Sequence, residues 1–62
     1  MITYTAIIVF CLAPTVCSQA VVETDTLLRC EFILDAGLAY SAAEGHYVMF
    51  HDCPKWVDGV KQ

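Results

Sequence analysis

Apolar and polar positions fall into two regimes along the chain. From Met1 to Val22 no side chain is charged, and 13 of the first 18 residues are apolar. The densest stretch is Ala6-Ile7-Ile8-Val9-Phe10-Cys11-Leu12-Ala13, followed directly by Pro14. Proline lacks an N–H and its ring clashes with the preceding turn, so a helix begun upstream stops there. Small and polar residues come next: Thr15, Cys17, Ser18, Gln19 and Ala20. An apolar run of roughly 7–15 residues, a breaker and then small side chains is the layout of a secretory signal peptide. The pattern predicts an N-terminal hydrophobic signal helix over residues 1–18, cleaved after Ser18 or, two residues on, after Ala20. No Lys or Arg precedes the run, so only the α-amino group supplies the usual positive start. The competing reading is a retained membrane anchor. The uncharged run over residues 1–22 reaches the about 20 residues a span requires. Against it, Thr3, Thr5, Pro14, Thr15, Ser18 and Gln19 dilute that run, and no basic cluster flanks it to set an orientation.

After residue 22 the pattern changes. Residues 19–26 read as a frayed leader. In the segment 28–35, Leu28, Cys30, Phe32 and Leu34 alternate with Arg29, Glu31 and Asp35, and only Ile33 breaks the rule. A period of two predicts a strand. The alternative is a helix whose start is capped by Thr24, Asp25 or Thr26. Ala36-Gly37 is expected to end the element. Leu38 to Glu44 favours a short helical turn, because Ala, Leu and Glu are good helix formers, and Gly45 is its natural stop. His46-Tyr47-Val48-Met49-Phe50-His51 is rich in aromatic and β-branched residues and predicts a second strand, ended by Pro54. Asp58-Gly59 marks a turn, and the tail to Gln62 is expected to be loose. The two strands are expected to pair as an antiparallel hairpin. Cys30 would lie opposite Cys53, Phe32 opposite His51, Leu34 opposite Met49, and Glu31 opposite Asp52.

Size and charge narrow the function classes. The chain has 62 residues, a mass of 6.9 kDa, three basic and seven acidic side chains, a net charge of -4 and a mean hydropathy of +0.59. Three basic residues cannot neutralise a phosphate track, so no nucleic-acid partner is expected. The acidic balance also argues against a cationic surface-bound amphipath. So small a chain barely buries one core, which argues against an enzyme with its own cavity.

Cysteine arithmetic fits the signal reading. Cys11 and Cys17 would leave with residues 1–18. Cys30 and Cys53 would remain in the mature chain, residues 19–62, as one bridge in an oxidising compartment. That bridge closes a loop of 24 residues, 30 to 53 inclusive, and contributes about 3.5 kcal/mol on the chain-entropy account. His46, His51, Cys53 and Cys30 are the candidate zinc ligands. Their spacing matches no standard pattern, and oxidation would consume the thiols, so no metal and no cofactor is expected. Cys53 with His51 could be drawn as nucleophile and base, yet no orienting group or oxyanion hole accompanies them. The chain is therefore read as no enzyme.

The densest aromatic patch runs from Tyr47 to Trp56. Tyr47, Phe50 and Trp56 are the candidate partner-binding residues, since large aromatics anchor interfaces. The plainer reading is that they form the core of a very small fold. Together these readings predict a small disulfide-stabilised peptide: a β-hairpin with a short helical turn, following an N-terminal signal helix. Its expected role is secreted and extracellular, acting by binding an extracellular protein or receptor as ligand, inhibitor or toxin-like effector. The runner-up is a single-pass membrane micropeptide anchored by residues 1–22 that modulates a larger membrane protein. Contact with a membrane follows only if that segment is retained.

Overall fold

Strand β1 (Ile2–Ala13) is the spine of the molecule. The computed structural model describes every residue, Met1–Gln62. β1 turns at Pro14-Thr15 into β2 (Val16–Thr24), which pairs antiparallel along one edge. Helix α1 (Leu27–Ala43) follows and packs on one face of the sheet. β3 (Tyr47–Asp52) and β4 (Lys55–Val57) then run one after the other along β1's second edge, and β5 (Val60–Lys61) extends β4. Antiparallel sheet, one helix and two disulfides make up the fold.

The expected N-terminal signal helix is corrected: the apolar run is a strand. Of residues 2–10, only Ala6 is neither β-branched nor aromatic, and such side chains lose less on a pleated surface than in a helix. A strand bonded on both edges also reads as a near-continuous apolar run, the same pattern that a signal core shows. No helix of the molecule is long and apolar enough to cross a membrane. The segment 19–26, expected to fray, is largely β2.

The expected strand over 28–35 is likewise corrected: it is the first half of α1. Thr26 caps it in extended geometry (φ -136, ψ 150), its Oγ1 accepting the Arg29 N–H at 3.2 Å. Cys30, Leu34, Gly37 and Ser41 face the sheet at helical spacing. That stripe is small and partly polar, so the alternation of Leu28, Cys30, Phe32 and Leu34 outweighed it in the sequence. The hairpin with Cys30 opposite Cys53 therefore does not form. Nor does Gly37 break the helix. A Cβ there would overlap the Ile8 Cδ1 of β1, so the glycine buys close helix–sheet approach. The end of α1 falls where expected. Gly45 is left-handed (φ 74), its N–H donates to the Ala42 carbonyl, and the His46 N–H donates to Ser41 at 2.8 Å. This is the Schellman arrangement.

β3 and the Asp58-Gly59 turn also lie where the pattern puts them. Asp58 (φ 50) and Gly59 (φ 84) form a two-residue hairpin of mirror-image twist, joining Val57 to Val60. The tail expected to be loose is β5. Between β3 and β4 the edge is interrupted at Cys53-Pro54, where buried Pro54 still accepts the Thr5 N–H at 3.1 Å. That interruption frees Cys53 to reach Cys30 on the helix, with Cα atoms 6.2 Å apart. The buried residues are Thr5, Ala6, Ile8, Cys11, Cys30, Ser41 and Pro54. Four of these seven belong to β1, and Cys30 alone is fully enclosed.

Candidate functional site

The helix covers one face of the sheet and leaves the other open. Residues directly opposite each other on antiparallel strands point to the same side, and neighbours along a strand alternate. Ile8 meets Gly37 of α1, so Tyr4, Ala6, Ile8 and Phe10 lie on the covered face. Thr5, Ile7, Val9 and Cys11 lie on the open one. Across from them, Val21 stands opposite Ile7, Phe50 opposite Val9, and both Cys17 and Tyr47 flank Cys11. The open face is thus an apolar strip of two neighbouring strands and the spine between them.

A groove of about 540 Å³ crosses this strip, walled by Val9, the Cys11–Cys17 bridge, Pro14, Tyr47 and Met49. Met49 reaches it because β3 carries a bulge. Phe50 pairs with Val9 and Val48 with Phe10, which leaves Met49 as the extra residue. Tyr47 is 65% exposed, Met49 69% and Phe50 50%. All three stand on or beside the groove with no element above them.

The three aromatics singled out in the sequence share this face, since Trp56 lies opposite Thr3. They do not form one cluster. Thr3 and Val9 are six positions apart on β1, about 20 Å along the strand. Tyr47 and Phe50 therefore form one group and half-buried Trp56 stands apart, its Nε1 buried without an acceptor. Charge on the face is sparse. Glu23 lies opposite Thr5 and Asp52 opposite Ile7, while Lys61 lies opposite Trp56 at the far end. Asp52 Oδ1 accepts the Cys53 N–H at 2.8 Å, which folds that carboxylate back on its own backbone.

The residues weighed for metal or nucleophilic chemistry are held elsewhere. Cys30 and Cys53 are bridged to each other and Cys11 to Cys17, so no thiol is free. His46 stacks flat on Phe10, ring centroids 5.5 Å apart and 8° between planes, with Tyr40 edge-on at 6.5 Å. His51 stands exposed on β3. No three His, Cys, Asp or Glu side chains converge.

The sequence reading missed the other half of the groove: Val9, Met49 and the Cys11–Cys17 bridge. A signal was present. Four cysteines are an even set without any cleavage, and Cys11 and Cys17 flank a proline turn at a spacing that a hairpin brings face to face. No family model matches the chain, no curated protein matches it, and no solved structure matches it.

Proposed function

We propose that the protein works outside the cell as a small disulfide-bonded ligand, inhibitor or toxin-like effector that binds another protein through the open face of its sheet. One observation carries this reading. Tyr47, Met49 and Phe50, each at least half exposed, line or adjoin one apolar groove that nothing in the chain covers. Large flexible and aromatic side chains around a concave apolar surface are what protein interfaces use as anchors. Two bridges in so small a chain support an oxidising compartment. This reading needs residues 1–18 in the working protein, since Val9, Cys11, Pro14 and Cys17 wall the groove and lie within them. The form that keeps them keeps β1, and with it four of the seven buried residues.

The test is expression of the full chain in a eukaryotic secretory host, with intact-mass analysis of medium and membrane fractions. Protein in the medium is the expected result. A chain starting at Met1 and four hydrogens lighter than its reduced form carries both bridges and the groove; one starting at Gln19 or Val21 carries only Cys30–Cys53, lacks β1, and overturns the groove as the binding site. The secreted material, labelled, is then applied to cells of the source organism. Saturable binding should be competed by unlabelled protein and not by the Tyr47→Lys/Phe50→Lys variant. Full-length chain confined to the membrane fraction, or equal competition by the variant, overturns the reading.

A further inference from the structure

The two long edges of the sheet are built in opposite ways. On the β3–β4 side several protections against edge pairing are present. β3 is bulged at Met49, the strand breaks at Cys53-Pro54, Lys55 follows, and β5 covers β4. On the other side β2 runs nine residues with none of them: no proline, no lysine and no bulge of its own, and every residue except Thr24 exposed. An unguarded edge strand presents a row of unpaired N–H and C=O groups, a template for another strand.

We propose that the free edge of β2 pairs antiparallel with β2 of a second copy, giving a two-fold dimer centred on Ala20. The charge pattern selects this occupant. The chain carries a net charge of -4, yet Glu23 is the only charged residue on β2. In a register centred on Ala20, Gln19 lies opposite Val21 of the second copy, Ser18 opposite Val22, and Glu23 opposite Cys17. The two Glu23 side chains then stand six strand positions apart, about 20 Å, and no like charges face each other. A two-fold axis perpendicular to the sheet keeps both helices on one side and joins the two open faces edge to edge. Because β2 is the one long edge without a bulge or break, β2 pairs with β2, and such an isologous contact closes at two copies rather than growing into a fibre. The surface fits such a partner. The chain exposes 4438 Å², against about 4000 Å² expected of a folded monomer of this mass.

The experiment is sedimentation equilibrium of the full, oxidised chain from micromolar to submillimolar concentration, with circular dichroism to verify the fold. Wild type is expected to pass from monomer to dimer and no further. Gln19→Lys with Val21→Lys places like charges directly opposite at both symmetry-related pairs and should weaken dimerisation roughly tenfold or more. Gln19→Lys with Val21→Glu places opposite charges there and should retain or tighten it. Gln19 and Val21 are exposed and on the same open face, so both variants keep the monomer fold. A wild type that stays monomeric throughout, or one whose dimerisation ignores both variants, overturns the proposal. A wild type that assembles without limit overturns the two-fold closure.

Discussion

The two disulfides hold two regions of the molecule in different ways. Cys11–Cys17 joins residues already directly opposite in the β1–β2 ladder, their Cα atoms 4.0 Å apart and their sequence separation six. Cys30–Cys53 joins the helix layer to the sheet layer across a separation of 23, and Cys30 is the one fully enclosed side chain. The first reinforces contacts that hydrogen bonds and a proline turn already make. The second fixes a contact that nothing local would hold. A bridge matters most where the chain between its ends has the most freedom to lose, and where the layers it joins share few buried side chains.

Replacing both Cys30 and Cys53 by Ala should therefore have the largest effect. The chain-entropy account gives a loss of about 3.5 kcal/mol, against a total stability of roughly 3–9 kcal/mol for a chain of this length. Urea unfolding should show a midpoint lowered by about 40 % or more, or no cooperative transition. Removing Cys11 and Cys17 together should cost less, at most about 2.4 kcal/mol on the same account. If the two double variants unfold at equal urea, the contrast between the bridges is wrong.

Gly37→Ala sharpens the comparison from the helix side. Alanine favours the helix by about 1 kcal/mol, but its Cβ overlaps Ile8, and overpacking of this kind costs about 1–3 kcal/mol. Because only the terminal Cδ1 of Ile8 must shift, the overlap costs toward the low end of that range, and a net loss of no more than about 1 kcal/mol is expected, read as an equal or slightly lower melting temperature. A gain would mean that α1 has room to lift from the sheet. Thr26→Ala removes the Oγ1 acceptor of the Arg29 N–H and should cost about 1 kcal/mol or slightly less, seen in the same thermal scan. The smallest effect is expected on the open face. Tyr47→Ala leaves an exposed position and should shift stability by no more than about 0.5 kcal/mol. A larger loss would make Tyr47 part of the core rather than of a binding surface.

Local signals in the sequence were readable where one residue type decides the backbone. Gly45 ends α1, Asp58-Gly59 turns the last hairpin, and the aromatic run 46–51 is β3 within one residue, whereas Pro14, read as a helix stop, turns the first hairpin. The Cys30–Cys53 pairing was legible as well, though on a different scaffold. Two elements were misread for physical reasons. From Ala6 to Ala13 β1 is apolar without a break, as a strand bonded on both edges can be, and a run of that kind is shared by signal cores and central strands. α1 buries Cys, Gly and Ser toward the sheet and leaves Leu28 and Phe32, 79% and 74% exposed, toward solvent. Its periodicity therefore points away from its packed face. Of the residues on the open face, Tyr47 and Phe50 stand out from composition alone. Val9, Met49 and the bridge do not, because a bulge and a strand register put them there.

By itself the sequence determined the turns, the acidic charge, the even cysteine set and the aromatic content of the second half, since each follows from a residue's own geometry or chemistry. Only the tertiary structure decided which apolar residues are covered. With one helix for a two-faced sheet, no element covers the second face, although Thr5 and Cys11 of β1 are buried on that side as well. Which side that is depends on the hand of the chain from β2 through α1 to β3, and on the bridge that holds the helix down.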